Sequence, residues 1–169
     1  MMRPLRDPYQ AVLRRFNRLG VRYVVVGMAG INYYATNAAE TFATLDYDLC
    51  VEPTLENVER AMRGLAALGF TLGTAAGAVG FRDLRAVVRR RRTLIATTMD
   101  GLMVELLLQV SGYPFSELAK DARTFSVRGV PVRVGRLTKL LRSKQLAGRP
   151  KDRAFLKRYR ALLGEDAER

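Results

Sequence analysis

The sequence predicts a mixed α/β (α+β) fold, in which a small twisted mixed sheet is flanked by helices and followed by a helical C-terminal segment. β-Branched runs such as residues 21–26 alternate with amphipathic helical patterns such as residues 55–68. Two short turn sequences, residues 99–101 and 128–129, each separate a pair of apolar runs and are typical of hairpins. Together these patterns favour a sheet built from both neighbouring and distant strands.

Capping and turn residues then delimit the individual elements. Asp7-Pro8 begins the first helix and Gly20 ends it, while Thr54 caps a helix that Gly69 ends. The other predicted helices are residues 31–35, 81–88, 115–122, 137–146 and 150–163, and the predicted strands are residues 21–26, 43–52, 92–98, 102–108, 125–127 and 130–134. Residues 36–44 are predicted as a polar loop and residues 73–80 as a mobile, glycine-rich loop. A chain of 169 residues fits one domain, residues 1–169, with a core at about 21–135 and C-terminal helices at about 136–163.

Composition excludes several kinds of site. One cysteine and no histidine exclude a disulfide framework, a Cys/His zinc site and a histidine-dependent triad, so Cys50 is expected to be a small buried hydrophobe. The longest apolar run, residues 102–110, is too short for a membrane span and contains Glu105, and residues 1–8 have no hydrophobic signal core. We therefore expect a cytoplasmic location and no membrane partner.

Basic residues concentrate in two stretches, residues 82–92 and 136–160, within a chain of net charge +13 and pI near 10.7. Such a charge bears on partners rather than on fold, and two clusters favour a polyanion such as RNA. The expected nucleic-acid contacts are Arg89, Arg90, Arg91, Arg92, Lys139 and Arg142. The alternative for the arginine run is an ordinary solvated face. If both clusters flank the site in space, they form a positive groove leading to it.

Two carboxylates, Asp46 and Asp48, lie in the apolar strand predicted at residues 43–52. Side chains of a strand alternate between its faces, so these two point the same way. Like charges held close together repel each other and resist leaving water, and a divalent cation such as Mg²⁺ relieves both effects. The alternative is a solvated edge strand or a turn.

Glu105 is a second unusual acid, because it interrupts the apolar run of residues 102–108. An unpaired buried carboxylate is costly, typically by several kcal/mol. Proximity to Asp46 and Asp48 would account for it, as a metal ligand or a general base; the alternative is an ion pair with an arginine. Gly27, after the strand at residues 21–26, would let backbone N–H groups approach a phosphate, or it simply makes a tight turn.

The chain resembles the nucleotidyltransferase superfamily, and within it the AbiEii-like and MenT-like toxin branch. Four blocks carry the resemblance in family order: residues 24–34, which contain Val-Val-Val-Gly-Met-Ala-Gly, residues 43–49, with Thr-Leu-Asp-Tyr-Asp, residues 104–107, with Val-Glu-Leu-Leu, and residues 144–152, with Lys-Gln-Leu-Ala-Gly-Arg-Pro-Lys-Asp. They span about residues 21–163. The chain departs from the family pattern at Met28, where a glycine or serine is usual, and at Phe42, where an arginine is usual.

The resemblance implies a nucleotidyltransferase fold and Mg²⁺- or Mn²⁺-dependent transfer of a nucleoside monophosphate from an NTP, such as ATP, to a hydroxyl group. It implies catalytic roles for Asp46, Asp48, Glu105, Lys144 and Asp152, with the first three holding the metal. The implied nucleotide-binding residues are Gly27, Met28, Thr44, Lys144 and Arg149.

The implied acceptor is RNA, with the 3′ end of tRNA as the candidate, and the implied protein partner is an antitoxin. A protein or antibiotic acceptor, or an inactive RNA-binding module, are the alternatives. Lys144 would bring a charge to the triphosphate. Asp152 could anchor a basic side chain or, near the start of the last helix, favour that helix by its charge alone.

Overall fold

The structure, a computed structural model, describes residues 8–44 and 46–163, which form one mixed sheet with helices on both faces. Its helices are α1 (Pro8–Leu19), α2 (Gly27–Asn32), α3 (Leu55–Ala67), α4 (Leu84–Arg89), α5 (Phe115–Lys120), α6 (Leu137–Ala147) and α7 (Pro150–Leu163). Its strands are β1 (Tyr23–Val26), β2 (Asp46–Val51), β3 (Thr71–Thr74), β4 (Gly77–Ala78), β5 (Leu94–Thr97), β6 (Met103–Leu107), β7 (Arg123–Val127) and β8 (Val130–Val134). The predicted mixed α/β class is confirmed.

The sheet has the strand order β4-β3-β5-β6-β2-β1-β8-β7. β2 lies inside it, paired antiparallel with β1 and parallel with β6, and β1 pairs parallel with β8. The remaining pairings are antiparallel. Because β2 has a neighbour on each side, its backbone is satisfied by the sheet and its side chains project onto two covered faces.

The two faces of β2 differ in character. Tyr47, Leu49 and Val51 are buried on the face where α1 packs against α3, and Tyr9 of α1 stacks on Tyr47 with ring centroids 4.6 Å apart. The opposite face, toward which Asp48 points, is covered by α2, α6 and α7. The strand therefore separates an apolar core from a polar cavity.

Capping residues act as predicted at several boundaries. The Thr54 hydroxyl accepts a hydrogen bond from the Asn57 backbone N–H at 3.3 Å, which satisfies one of the free donors at the start of α3. Gly69 follows α3 with φ of 88°. Arg128 and Gly129, with φ of 50° and 80°, form the left-handed two-residue turn that joins β7 to β8. The predicted Asp7 cap lies outside the described residues.

Three sequence predictions need correction. α2 begins at Gly27 rather than at residue 31, because Gly27 adopts φ of 65° and turns the chain directly from β1 into the helix. Residues 73–80 are not simply a loop: β3 and β4 form an edge hairpin there, and β3 also pairs with β5. Leu55, predicted on the apolar face of α3, is 37% exposed.

Leu45, predicted at the start of the central strand, lies outside the described residues. No helix in the described part of the chain is both long enough and apolar enough to cross a membrane.

Candidate active site

Asp48 and Glu105 are brought together by the pairing of β2 with β6. The two residues are directly opposite in the parallel register, so their side chains leave the same face of the sheet. Asp46, two residues earlier, lies on that face about 6–7 Å away along the strand. The solvated edge-strand interpretation of Asp-x-Asp is wrong, because β2 is an interior strand.

Glu105 has no lysine or arginine nitrogen within 4.0 Å among the described residues. The ion-pair explanation for this acid therefore fails in the part of the chain that the structure describes. Its carboxylate acts on Asp48 instead: after burial, the charge of Glu105 and the hydrogen bond that a protonated Asp48 can donate to it raise the pKa of Asp48. Glu105 therefore lies in an apolar strand because it faces Asp48. Two adjacent carboxylates are typical of a ligand-binding site and not of an apolar core.

Asp48 is the most strongly perturbed acid of the cavity. Burial, then the Glu105 carboxylate and Asp46, raise its pKa from 3.8 to about 7, while the nearby charge of Lys144 opposes that shift. One of its oxygens, Oδ1, is buried without a hydrogen-bond partner in the described residues. Leaving such an oxygen unsatisfied typically costs about 1–3 kcal/mol, and more for a charged group. The Asp48 carboxylate therefore lowers the stability of the folded protein, and its Oδ1 oxygen is available to bind a ligand.

Gly27 leaves room for this carboxylate. A Cβ atom at position 27 would collide with Asp48 Oδ2, and the φ of 65° also disfavours any residue with a side chain. Met28, the next residue, is half-buried and lines the cavity in front of Asp48. Thr44 fixes the start of β2, since its hydroxyl accepts from the Asp46 N–H at 3.2 Å and donates to the Asp46 carbonyl at 3.1 Å.

Asp152 holds two basic side chains, Lys144 of α6 and Arg149 of the turn between α6 and α7. It is 1% exposed and accepts hydrogen bonds from Arg149 Nε at 2.7 Å and from the Arg149 backbone N–H at 3.3 Å. Lys144 Nζ lies 3.6 Å from its other oxygen. The sequence offered two roles for Asp152, a charge near the start of the last helix and an anchor for basic side chains. Its contacts are compatible with both.

These contacts set the charges at the cavity. Burial opposes ionisation of Asp152, but the hydrogen bond and charge of Arg149 and the charge of Lys144 outweigh it and lower the Asp152 pKa. Burial also lowers the pKa of Lys144, although Asp152 and Asp48 partly counteract that effect. The result is a buried acid that stays ionised and holds its two cations in place.

Most of the predicted residues meet in one cavity of about 470 Å³. It is lined by Met28, Thr44, Asp46, Asp48, Thr93, Glu105, Leu107, Lys144, Arg149, Lys151, Asp152 and Phe155. A second chamber of about 330 Å³ adjoins it, includes Gly27, and shares Asp48, Leu107, Lys144 and Arg149. Acids from the sheet thus face cations from the C-terminal hairpin across a space of small-molecule size.

A divalent cation fits the acid pair in this cavity. No group of three or more His, Cys, Asp or Glu side chains in residues 8–44 and 46–163 is arranged to hold a metal ion. Mg²⁺ does not require one, because it commonly takes one or two carboxylates and completes its shell with water and phosphate oxygens. Asp46 and Asp48 provide such a pair on one face of β2, with Asp48 Oδ1 unsatisfied among the described residues and Glu105 beside it.

The predicted nucleic-acid residues do not gather at the cavity. Arg89, Arg90, Arg91 and Arg92 are exposed at the end of α4, which packs against α3, and none is among the described residues that line either chamber. Lys139 is paired with Asp121, with Nζ 2.9 Å from Oδ1, and does not line either chamber. Arg142 remains exposed. Of the two basic stretches, residues 136–160 contribute Lys144, Arg149 and Lys151 to the cavity lining, whereas none of Arg89, Arg90, Arg91 and Arg92 lines it.

Phe42 has a packing role that the sequence did not indicate. It is 6% exposed and meets Phe155 edge to face at 4.9 Å and Tyr159 at 6.0 Å. Lys144 Nζ in turn lies 5.0 Å from the centre of the Phe155 ring. An aromatic residue at position 42 thus packs against α7, the helix that carries Asp152. In the sequence, the four-residue spacing of Phe155 and Tyr159 indicates an aromatic face on that helix, which is the only sign of this contact.

The class of site is an acid pair from a central strand facing buried cations in a cavity. Neither models of protein families nor curated protein sequences match this chain. The geometry of the cavity side chains is therefore what bears on function.

Proposed function

We propose that the protein is a Mg²⁺-dependent nucleotidyltransferase with a nucleotidyltransferase fold, which transfers a nucleoside monophosphate from an NTP to a hydroxyl group of RNA. The observation that carries the proposal is the buried, unsatisfied carboxylate oxygen of Asp48, placed beside Glu105 and across the cavity from Lys144 and Arg149. An acid pair that repels itself is suited to a cation, and two adjacent cationic side chains are suited to phosphate.

In the proposed reaction, the acceptor oxygen forms a bond to the α-phosphorus of the NTP. The bond from that phosphorus to the bridging oxygen breaks, and pyrophosphate leaves. The acceptor hydroxyl loses its proton to the Glu105 carboxylate, which lies on the same face as Asp48. Asp46 and Asp48 would hold Mg²⁺, which when bound neutralises phosphate charge as it accumulates on the leaving group.

Lys144 and Arg149 bind the triphosphate in this proposal. Asp152 keeps both side chains directed into the cavity, which reduces the conformational entropy they lose when phosphate binds. The chamber that shares both residues with the main cavity provides room for a second part of the substrates. Support for the RNA acceptor is the net charge of +13, which favours a polyanion and repels a cationic antibiotic.

The toxin role, the 3′ end of tRNA as acceptor and an antitoxin partner are supported by the sequence resemblance. They refine the same proposal, because a toxin of this kind would modify RNA through the same cavity. A protein acceptor is the competing possibility, and the experiment that tests the proposal distinguishes the two.

The test incubates the protein with each labelled NTP, Mg²⁺ and either total RNA or total protein. We expect label on RNA with one preferred NTP, and none when Mg²⁺ is chelated. Label on protein instead would identify protein, not RNA, as the acceptor. No label on any macromolecule with any NTP would reject the proposal. Glu105→Gln sharpens the test: we expect a lower rate at saturating NTP with little change in NTP affinity.

A further inference from the structure

A second concave surface, distinct from the cavity, runs between the two C-terminal helices. α6 and α7 are joined at Gly148, whose φ of 63° reverses the chain. The space between them, about 380 Å³, is lined by Gln145, Arg153, Leu156, Lys157 and Arg160. We call this surface the α6–α7 groove.

Three cations share one wall of the α6–α7 groove. Arg153, Lys157 and Arg160 are spaced i, i+4 and i+7 on α7, which places them on one side of the helix. At 1.5 Å per residue they extend over about 10 Å. On the α6 wall, Arg142 donates a hydrogen bond to the Gln145 side chain at 3.2 Å, so a fourth cation adjoins the groove.

No carboxylate of the described residues lines this groove, and none lies within 4.0 Å of Arg153, Lys157 or Arg160. In the part of the chain that the structure describes, seven other basic side chains are paired with acids, namely Arg22, Arg60, Arg63, Arg136, Lys139, Lys144 and Arg149, so what distinguishes the groove is that its unpaired cations share one concave surface. A concave surface lined by one sign of charge concentrates the electrostatic field and attracts counter-ions.

The groove lies next to the active-site cavity. Lys144 and Asp152 line the cavity, and the residues that follow them, Gln145 and Arg153, line the groove. Successive residues of a helix point about 100° apart, so the two concavities are on adjacent sides of the same hairpin. A linear ligand lying in the groove could therefore reach the cavity around the α6–α7 turn.

We infer that the α6–α7 groove binds the phosphate backbone of single-stranded RNA. Each of Arg153, Lys157 and Arg160 would meet one phosphate. The lining favours nucleic acid over an acidic protein, since Leu156 is its one apolar member among the described residues and no aromatic residue lines it there, whereas the buried core of a protein interface is apolar and rich in aromatic residues. Binding in the groove stands by itself; delivery of the strand to the cavity rests on the proposed function.

The test measures the affinity of a short labelled single-stranded RNA by fluorescence anisotropy over a salt series, without NTP. The test variant carries Arg153→Ser, Lys157→Ser and Arg160→Ser. Each phosphate contact contributes roughly 0.7 to the slope of log K against log salt, so the slope should flatten by about 2. The single variant Lys157→Ser should reduce the slope by about 0.7. It replaces the triple variant in the test if the triple variant has a melting temperature too low for the assay.

The matched control removes the same charge elsewhere, with Arg14→Ser, Arg18→Ser and Arg85→Ser. These side chains are exposed on α1 and α4 and have no carboxylate within 4.0 Å in residues 8–44 and 46–163. The control should leave the slope unchanged. Equal flattening by both triple variants, or no salt-dependent RNA binding by the unmodified protein, would overturn the inference.

Three further outcomes bear on this inference, and the last two separate it from the proposed function. A polyglutamate peptide that binds the groove while RNA does not would overturn it in favour of an acidic protein partner. RNA binding through the groove without any nucleotide transfer would reject the proposed function and leave the groove assignment standing. Transfer to RNA together with unchanged RNA binding by the groove variant would do the reverse.

Discussion

The two faces of β2 carry adjacent residues with opposite consequences for the protein. On the face toward α1 and α3, Leu49 is fully buried and Tyr47 is 6% exposed. On the face toward α6 and α7, Asp48 has a buried oxygen without a hydrogen-bond partner among the described residues. One strand therefore contributes to the core and to the candidate site through alternate residues.

Stability and function are therefore separated within a single strand. Burying a leucine side chain contributes about 1.5–3 kcal/mol to folding, whereas ionising a buried carboxylate beside a second acid opposes folding. The core face compensates for the cost of the acidic face. Substitutions at positions 48 and 49 should therefore change stability in opposite directions, although the two residues are neighbours.

The largest effect is expected from Asp48→Asn. Loss of a metal-binding carboxylate removes several kcal/mol of transition-state stabilisation, which corresponds to a transfer rate lower by roughly 1000-fold or more. The same substitution removes a buried negative charge, so the melting temperature of the metal-free protein should rise at about pH 8. Transfer assays and thermal melts on one preparation measure both quantities.

Asp100→Asn is the matched control for that substitution. Asp100 is exposed in the turn between β5 and β6, and Asn-Gly is as suitable as Asp-Gly in a hairpin. Neither transfer nor stability should change. Full transfer by Asp48→Asn would reject the metal-binding role of β2.

Leu49→Ala tests the other face. Removing a fully buried leucine side chain leaves a cavity, and we expect unfolding to cost about 3–5 kcal/mol less than in the unmodified protein. Denaturant unfolding measures this loss. Transfer per folded molecule should stay close to normal at a temperature where the variant is folded. A selective loss of transfer with unchanged stability would contradict the separation of the two faces.

The pH dependence of stability follows from Asp48. Its pKa is about 7 in the folded protein and near 3.8 in the unfolded chain, so the folded state binds the extra proton between those values. The stability that this proton contributes is present below about pH 4 and is lost as the pH rises through about 7. At about 1.4 kcal/mol per pKa unit the loss is at most about 4 kcal/mol.

The measurement compares melting temperatures of the metal-free protein and of Asp48→Asn at about pH 5 and about pH 8. The gap between the two proteins should widen in favour of the variant as the pH rises, and Mg²⁺ should raise the melting temperature of the unmodified protein most at the higher pH. A gap independent of pH would mean that Asp48 does not titrate in this range.

Much of the fold could be predicted from local sequence signals. Thr54, Gly69 and the Arg128-Gly129 turn act through neighbouring residues, so their effect is visible in the sequence. The β3–β4 hairpin could not be predicted, because its small residues take their strand conformation from pairing with β5. At the candidate site, Asp46, Asp48 and Glu105 were predictable as unusual acids.

Long-range contacts explain what the sequence did not reveal about the basic residues. Lys139 looked available for RNA, but Asp121 lies in a separate element, and only the fold brings the two within 2.9 Å. Arg153, Lys157 and Arg160 belong to the basic stretch of residues 136–160, but the sequence did not distinguish them from its other cations. Their significance depends on the α6 wall opposite them.

Asp152→Asn is expected to have the smallest effect on stability and the most specific effect on function. The asparagine keeps an oxygen that can accept from the Arg149 backbone N–H, so loss of the helix-terminal charge should cost only about 1 kcal/mol. The negative charge that raises the pKa of Lys144 disappears, however, and Lys144 should lose its proton at lower pH. We therefore expect the KM for NTP to rise about tenfold, since a charge on the triphosphate is worth roughly 1.4 kcal/mol or more.

The shape of the pH profile distinguishes this role from simple helix capping. A positioning role for Asp152 predicts that the basic limb of kcat/KM moves to lower pH in Asp152→Asn, because the proton lost there belongs to Lys144. Asp121→Asn is the control: this carboxylate also pairs with a lysine, Lys139, but is not among the described residues that line the cavity. It should leave KM and the pH profile unchanged. If Asp152→Asn lowers only the melting temperature, with KM and the basic limb as in the unmodified protein, Asp152 stabilises α7 and does not position Lys144.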